Sequence, residues 1–455
     1  MTRATKTLLV IVGIIVLSYP GLAWLTGIAI ESRMQHSQQQ VLDQVPYLTL
    51  VSRTYHRGVY RSTEIATYDF HIPLPPLMKA GAAAIPRGAT LTVESTIEHG
   101  PLPGLRTVAL ATIDSTVLAP PAVQKALAGV LGSSPILKTH TTVGLFGGAT
   151  IDLTSPAFNL GLPGGFNLTW GGLTGIVTAT RSQAHWTAQL TAPHLALQGP
   201  KGGLELVSME YSGSHQKAFD SLYLGTGTFT IEQVDGSTPS GGKYSLQRIS
   251  LSSVSKAHGQ FFDVRVDVAM DAAQVAAVQL KNVMYSEAVE HLHGPSLASM
   301  VQAMRVAERQ AHGNRAQFQA GMQDAFRQYG VEVLVNDPVL DIRQVSFAMP
   351  EGSFLLSAKI SAPGLARAEL LQWPAAIVAL KNHAEVTVDL RVDNGLMQKL
   401  LAMGGSNPKI AAQLASFEQM GYLTAGPGAV TTHVGYAGGQ LTLNGHPFPP
   451  TAPVK

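Results

Sequence analysis

The chain has 455 residues, of which 45% are hydrophobic and 13% charged, so it can form a large core. Its 31 lysines and arginines nearly balance 29 aspartates and glutamates, and this argues against a nucleic-acid partner, which requires a concentrated basic surface. Because there is no cysteine, thiol nucleophiles, disulfides and cysteine-ligated zinc are excluded.

Residues 7–30 form an uncharged and mostly apolar stretch that follows Arg3 and Lys6. About 20 apolar residues span the hydrocarbon of a bilayer, so we predict one transmembrane helix within residues 1–30. The positive charges before this stretch predict a cytoplasmic N-terminus and a body on the other side of the membrane.

The alternative for the same stretch is a cleaved signal peptide. Gly21 and Ala23 are small residues at the −3 and −1 positions of a cut after Ala23. Apolar residues continue beyond that point, and Trp24 suits a membrane interface, which favours an anchor. Either alternative places the body outside the cytoplasm.

The next two regions differ sharply in pattern. Residues 31–45 are polar and glutamine-rich with helix-compatible spacing, which predicts a juxtamembrane helix or stalk. Over residues 46–290, apolar and polar residues alternate, as at 91–98 and 264–268, which predicts antiparallel strands without intervening helices. Turns are predicted at the glycine pairs 147–148, 164–165, 171–172 and 202–203 and at 236–242.

Residues 291–455 combine helical and strand patterns and end in a hairpin. The predicted helices cover 295–330 with a break at Gly313-Asn314, then 394–403 and 408–420. The predicted strands are 331–335, 339–348, 384–393 and the two arms of a hairpin around 437–439, with Asn444-Gly445 as its exit turn.

Together these patterns predict a β-dominated α+β fold. It consists of a long antiparallel meander or curled sheet with a few helices in the C-terminal third, preceded by one transmembrane helix. The predicted regions are an anchor at 1–30, a stalk at 31–45, a β-rich region at 46–290 and a mixed region at 291–455.

A search for catalytic motifs finds neither HExxH nor GxSxG. The stretch 237–244 resembles a phosphate-binding loop only superficially, because Ser237 replaces the first glycine and Tyr244 replaces the Ser or Thr after Lys243. GTGTFT at 225–230 lacks the third glycine of a dinucleotide fingerprint. No cofactor is predicted.

His291, His293 and Glu287 could in principle supply three metal ligands, since alternate residues of a strand share a face. The stretch ends at Gly294-Pro295 and is typical of a strand-to-helix loop, where histidines are merely solvated. We therefore predict no metal site.

Glu98 and His99 stand together before Gly100-Pro101, and a carboxylate beside an imidazole suggests acid–base chemistry. Neighbours in a strand point to opposite faces, however, so these two would not cooperate. The favoured interpretation is a strand end followed by a Gly-Pro turn.

Five sequence features follow one another along the chain: the apolar N-terminal segment, YHRGVYRS at 55–62, ESTIEHGPLPGL at 94–105, NDPVLDI at 336–342 and YAGGQLTLNG at 436–445. Together they resemble the YdgA-like family of bacterial envelope proteins, a domain of unknown function. The resemblance implies a single-pass anchor in the inner membrane of Gram-negative bacteria and a periplasmic body. It supplies no catalytic residues.

The motifs provide candidate positions for a structural or binding role, with no catalytic, cofactor or metal residue among them. They are Tyr55, His56, Arg57, Gly58, Glu98, His99, Gly100, Pro101, Asp337, Pro338, Tyr436, Gly439, Asn444 and Gly445.

The stretch around Gly58 favours a structural interpretation. Glycine allows a backbone corner that a side chain would hinder, and a strand is predicted to leave from it. Tyr55 and Arg57, two residues apart, can share a face and pack together or pair with an acidic neighbour.

Two functions are consistent with these patterns. The first is a non-catalytic envelope protein, anchored through residues 7–30, that binds lipid acyl chains in a β-groove or binds another envelope protein, or that acts as a homo-oligomeric scaffold. The second is a periplasmic hydrolase of an envelope component, in which His56, His99 and the histidines at 291 and 293 are the first residues to test.

Overall fold

The computed structural model of the protein describes residues 3–45, 47–70, 89–132, 134–162, 164–200, 202–238, 241–311, 314–403 and 408–448. The chain divides into two compact units. Unit 1 comprises Met1–Pro200, Glu210–Ser214 and Arg305–Phe318, and unit 2 comprises Lys201–Met209, His215–Met304 and Gln319–Lys455. Antiparallel strands dominate both units, as the alternating pattern predicts.

Unit 1 begins with a long helix and continues as a meander. Its helices are α1 (Arg3–Gln44) and α2 (Pro121–Leu131). Its strands are β1 (Leu48–His56), β2 (Arg61–Phe70), β3 (Ala89–His99), β4 (Ala111–Leu118), β5 (Leu137–Val143), β6 (Ala149–Ser155), β7 (Phe158–Leu162), β8 (Phe166–Trp170), β9 (Leu173–Ala179) and β10 (His185–Gly199).

Strands β1 to β6 pair in sequence order, and β6 then pairs with β9. β8 and β9 both pair with β10, one after the other along its length. The Gly171-Gly172 pair separates β8 from β9, as predicted, and these two strands pair with successive segments of β10 and not with each other. There the Gly171 N–H donates to the His194 carbonyl oxygen at 2.7 Å.

Helix α1 covers the first hydrophobic core of unit 1. Its residue Ile30 packs with Ile97, Ala111 and Val143 of the sheet. Residues 31–44, predicted as a juxtamembrane helix or stalk, are helical and belong to the same helix as the apolar stretch. Among the residues that the structure describes, no helix is both long enough and apolar enough to cross a membrane.

Unit 2 is a second meander in which helices are inserted between strands. Its strands are β12 (Tyr223–Ser237), β13 (Lys243–His258), β14 (Phe261–Val275), β15 (Val278–His293), β16 (Val339–Met349), β17 (Gly352–Ser361), β18 (Glu385–Asp393), β19 (Thr424–Ala425), β20 (Ala429–Ala437), β21 (Gln440–Leu443) and β22 (His446–Pro447). β12 to β18 pair in chain order, followed by β20, β21 and β22, while β19 also pairs with β20.

The other helices are α5 (Val331–Leu334), α6 (Arg367–Leu370), α7 (Trp373–His383), α8 (Asn394–Met403) and α9 (Pro408–Gln419). β11 (Gly202–Lys217), α3 (Gly294–Ala311) and α4 (Arg315–Ala325) contain residues of both units. The Asn314 side chain accepts hydrogen bonds from the N–H groups of Ala316 and Gln317, and so it caps α4 as predicted.

Three predicted elements differ from the structure. Residues 331–335 were expected to be a strand, but Val331–Leu334 is helical, because Val331 packs into a cluster with Leu365 and Leu370. His291 and His293 end strand β15, and α3 begins at the next residue, so no loop separates the two elements. Helices are not confined to the C-terminal third, because α2 lies between β4 and β5.

Candidate functional site

The two N-terminal motifs meet beneath α1, where β1, β2 and β3 lie side by side. In the β2–β3 register Arg61 lies opposite Glu98, and Ser62 lies opposite Ile97. Because side chains alternate between the faces of a sheet, His99 shares the helix-covered face with Ser62. Glu98 pairs instead with Arg61 at 2.6 Å, and so Glu98 and His99 make separate contacts.

His99 is fully buried, and both of its ring nitrogens make hydrogen bonds. Nδ1 lies 3.0 Å from the Val59 carbonyl oxygen, and Nε2 lies 3.0 Å from Oγ of Ser62. A carbonyl oxygen can only accept, so Nδ1 carries the proton. In the neutral imidazole, Nε2 then accepts a hydrogen bond from the Ser62 hydroxyl.

This arrangement reproduces the nucleophile and base of a serine hydrolase, with a carbonyl oxygen in place of the orienting carboxylate. Ser62 and His99 are each only 1% exposed, however. Gly27 of α1 covers the imidazole so closely that a Cβ there would lie 2.6 Å from its Nδ1. Substrate cannot reach the hydroxyl while α1 is in place, and the pair instead links β2 to β3 beneath the helix.

A buried ion pair lies further along the same face. The Glu64 carboxylate is 2% exposed and lies 2.7 Å from Nη2 of Arg53 on β1. It also accepts a hydrogen bond from the side-chain amide of Gln38 on α1. Because a buried carboxylate needs charged or hydrogen-bonding partners, the helix contributes directly to the solvation of this charge.

The stretch Tyr55–Gly58 forms the corner between β1 and β2. Tyr55 packs against the core under α1, and burial raises the pKa of its phenol above the ordinary value. Arg57 donates from Nε to the Glu31 carboxylate of α1 at 2.9 Å, and His56 is exposed. A Cβ at Gly58 would lie 2.3 Å from the Arg61 carbonyl oxygen, so this corner requires glycine.

The helix also contacts the loop after β3. The Thr26 hydroxyl donates to the Gly100 carbonyl oxygen at 3.1 Å, and the Tyr19 hydroxyl donates to that of Leu102 at 2.7 Å. Gly100 is tightly enclosed, with a Cβ position 2.0 Å from the Ala109 carbonyl oxygen, and its bond to Pro101 is cis. The structure therefore brings both N-terminal motifs into contact with one helix.

The C-terminal motif residues lie in unit 2, where they hold turns together. Asp337 has a φ of 54° and accepts a hydrogen bond from the Gly364 N–H at 2.8 Å, and Pro338 lies between it and β16. The Tyr436 hydroxyl donates to the Lys381 carbonyl oxygen at 2.9 Å.

The final two turns have the backbone conformation that their residues favour. Gly438 and Gly439 both have positive φ between the paired residues Ala437 and Gln440. Asn444 and Gly445 repeat this conformation between β21 and β22, as an Asn-Gly pair favours. The Asn444 side chain also accepts from the His433 N–H at 2.7 Å and donates to the Gly421 carbonyl oxygen at 3.1 Å.

A cavity of about 270 Å³ lies beside this turn on one face of β17, β18 and β20. Its lining includes Leu355, Arg391 and Asn444, and also His433, whose Nδ1 lies 2.7 Å from Oδ1 of Asp389. Both members of this pair are at least half exposed, so the pair is well solvated and interacts weakly.

The candidate metal ligands of unit 2 serve other contacts. Nδ1 of His291 lies 2.6 Å from the Asn336 carbonyl oxygen, and its ring stacks on Phe261 at 3.8 Å. Nδ1 of His293 lies 2.8 Å from Oγ of Ser296 on α3. No group of three or more potential ligands is placed to hold a metal among the residues that the structure describes.

Sequence reasoning missed the partners that complete the N-terminal site: Gly27, Gln38, Arg53, Ser62 and Glu64. Ser62 and Glu64 alternate with Arg61 and Thr63 along β2. Because all four residues are polar, the sequence does not show which face of this strand is buried. These residues can be assigned to one site only when the partner strand and its register are known.

Comparison with known proteins gives a family but no function. The family model described as "Bacterial protein of unknown function (DUF945)" matches residues 4–451. No curated protein and no solved structure matches the chain. The match spans nearly all of the sequence, including the N-terminal helix and the closing hairpins. The chain therefore belongs to the DUF945 family of bacterial proteins.

Proposed function

We propose that this protein is a non-catalytic binding protein of the bacterial envelope, held at the inner membrane by residues 7–30 with its body in the periplasm. Arg3 and Lys6 before the uncharged stretch support the orientation. The ordered set of YdgA-like motifs supports the compartment. Its ligand is a lipid or a second envelope protein.

The non-catalytic assignment rests on one observation: the motif residues make structural contacts within the protein. His99 and Ser62 bond to each other under Gly27, and Arg57 bonds to Glu31. In unit 2, Asp337 and Asn444 hold turns. Residues that could perform chemistry are thus engaged in structural contacts, and those of unit 1 lie against helix α1, which contains the proposed anchor.

The anchor is tested with the full chain in bacterial cells. We expect the protein to remain in the membrane pellet after extraction at alkaline pH, and externally added protease to digest the body only after the outer membrane is opened. Release of the intact chain into the soluble fraction would show that α1 is not an anchor.

The ligand is tested by native mass spectrometry of the full chain released from detergent micelles. Extra mass equal to a phospholipid that survives micelle removal supports lipid binding. A doubled mass without lipid supports a scaffold made of two copies. Mass equal to the bare monomer contradicts both lipid binding and a scaffold made of two copies, and leaves a different envelope protein as the ligand.

A periplasmic hydrolase is the second candidate, because the Ser62–His99 distance of 3.0 Å suits proton transfer. It requires α1 to leave the sheet and expose the hydroxyl. The discriminating variant is Ser62→Ala, compared with the wild type for its ability to restore a deletion strain. Loss of function at an unchanged protein level and melting temperature supports the hydrolase, and retained function excludes Ser62 as a nucleophile.

A further inference from the structure

The cavity on β17, β18 and β20 of unit 2 is lined by two rows of side chains with different chemistry. In the paired register the rows cross all three strands, with Leu355, Arg391 and Thr431 in the first row and Ser357, Asp389 and His433 in the second. Alternate residues of a strand share a face, and all six residues line the cavity. One row therefore carries a cation and the other carries a carboxylate.

The second row offers hydrogen-bond acceptors. Nδ1 of His433 lies 2.7 Å from Oδ1 of Asp389, and because a carboxylate can only accept, Nδ1 carries the proton. Nε2 of the neutral imidazole is then an acceptor. Neither Nε2 nor Oδ2 of Asp389 has a hydrogen-bonding partner among the residues that the structure describes. The Asn444 side chain accepts from the His433 N–H at 2.7 Å and so fixes this end of the row.

The first row offers donors. Within the described parts of the chain, Arg391 makes a single hydrogen bond, from Nη2 to Oδ1 of Asp393 at 3.2 Å. The other oxygen of Asp393 accepts from the Ser353 N–H at 2.8 Å and from its hydroxyl at 2.7 Å. Most of the guanidinium fork of Arg391 is thus open, next to the Thr431 hydroxyl, and this fork matches the geometry of a carboxylate or a phosphate.

The size and charge of the cavity restrict what it can hold. Its volume of about 270 Å³ suits a small molecule, since sites for drug-sized ligands have roughly 300–1,000 Å³. Asp389 and Arg391 stand two residues apart on β18, which separates their Cα atoms by about 7 Å. A simple anion would meet the carboxylate, and a simple cation would meet the guanidinium. A ligand with both charges a few bonds apart satisfies both side chains.

We propose that this cavity binds a small zwitterion. Its carboxylate or phosphate lies on Arg391 and Thr431, and its ammonium group lies on Asp389 and His433. An apolar substituent packs on Leu355, which is 41% exposed beside Arg391. A free α-amino acid and the phosphoethanolamine headgroup of a phospholipid share this chemistry. The site does not depend on the proposed membrane anchor, because all of its groups belong to unit 2.

The test is isothermal titration calorimetry of the full chain in mild detergent, with empty micelles as the blank. The zwitterionic probes are L-leucine and phosphoethanolamine. Each is compared with its single-charge counterparts, which are N-acetyl-leucine and leucinamide for L-leucine, and inorganic phosphate and ethanolamine for phosphoethanolamine. These comparisons use the wild type, so they do not depend on the folding of any variant.

Asp389→Asn and Arg391→Gln remove the two charges of the cavity. Asp271→Asn and Arg248→Gln are the matched controls, because they remove the same charges from an exposed ion pair elsewhere in unit 2. Melting temperatures of all four variants verify that they fold.

We expect at least one zwitterion to bind, with affinity about tenfold or more lower for its single-charge counterparts and for both cavity variants, since each loses a charged hydrogen bond. The two controls should bind like the wild type. Tighter binding of L-leucine identifies a free amino acid as the ligand class, and tighter binding of phosphoethanolamine identifies a lipid headgroup. A counterpart that binds as tightly as its zwitterion contradicts the proposal, as does the absence of saturable binding by both zwitterions.

Discussion

Gly27 of helix α1 lies against the imidazole of His99 at the end of β3, so closely that a Cβ at residue 27 would come within 2.6 Å of ring atoms. This contact explains why residue 27 has no side chain and why His99 is buried beneath the helix. Helix and sheet meet at a distance that only glycine permits. The imidazole in turn is held by Ser62 and by the Val59 carbonyl oxygen.

Gly27→Ala is expected to destabilise the protein, although alanine favours helices over glycine by about 1 kcal/mol. The added methyl must displace the imidazole or the helix, and overpacking typically costs about 1–3 kcal/mol. Gly21→Ala is the matched control on the same helix, because nothing lies within 4 Å of its Cβ position. Thermal unfolding of the full chain in mild detergent measures both, and equal melting temperatures would mean that α1 does not dock as described.

Ser62→Ala is expected to lower the free energy of unfolding by about 1–3 kcal/mol, because Nε2 of His99 loses its buried donor. His56→Ala, at an exposed position of the same motif, should change it by less than about 0.5 kcal/mol. Chemical denaturation of both variants provides the comparison. An unchanged free energy of unfolding for Ser62→Ala would show that the hydroxyl does not stabilise the fold through His99.

Glu64→Gln is expected to cost about 3 kcal/mol, because it leaves the largely buried Arg53 without its counter-charge. Glu98→Gln is the control: it breaks the pair with Arg61, which is 64% exposed, and so should cost less than about 1 kcal/mol. Replacing Arg53 and Glu64 together with Met and Leu should restore part of the loss. If the double variant loses as much free energy of unfolding as Arg53→Met and Glu64→Leu lose together, the two side chains do not interact as described.

Asp393 provides a pH-dependent contribution in unit 2. The Ser353 hydroxyl and then the Ser353 N–H, both hydrogen-bonded to its carboxylate, hold the pKa of Asp393 below its ordinary value. A depressed pKa means stability that is present above the ordinary aspartate value and lost as the pH falls through the folded value.

Asp393→Asn is therefore expected to reduce the free energy of unfolding at pH 7 and to lose this effect in acid. The measurement is the difference between wild type and variant in urea unfolding, repeated from neutral to acidic pH. Asp271→Asn, which breaks an exposed pair with Arg248, is a suitable surface comparison. A difference that stays constant with pH would contradict the contribution of the Ser353 hydrogen bonds.

Much of the fold was predictable from periodicity and turn chemistry. The period-two stretch at 91–98 lies in β3, and the predicted strand 384–393 matches β18 except for its first residue. Asn314 caps a helix, and Asn444-Gly445 forms a tight turn, because these residues favour the backbone and side-chain geometry required there.

The failures have physical causes. The β-branched residues Val331 and Val333 suggested a strand, but burial against a helical cluster determines their conformation. The α2 helix interrupts a region predicted to contain only strands, although its sequence carries helix-end signals, namely Pro121 in its first turn and Gly132 after its end.

The site was only partly predictable. His99 and Arg57 stood out as residue types, but their partners lie 37 and 26 residues away in sequence. Such pairings depend on strand register and helix docking, which no local pattern specifies.

The most direct test of the account is whether α1 lies on the sheet of unit 1 in living cells. Glu31→Cys and Arg57→Cys introduce the only two thiols of the chain, at positions whose side chains form an ion pair across the helix–sheet contact. A short bismaleimide added to cells should join them within one chain, seen by mass spectrometry as a single added linker and no free thiol. Each single variant and a denatured sample serve as controls. Efficient linkage is the predicted result, and two independently modified thiols in the native protein would contradict a helix fastened to the sheet by Gly27 and His99.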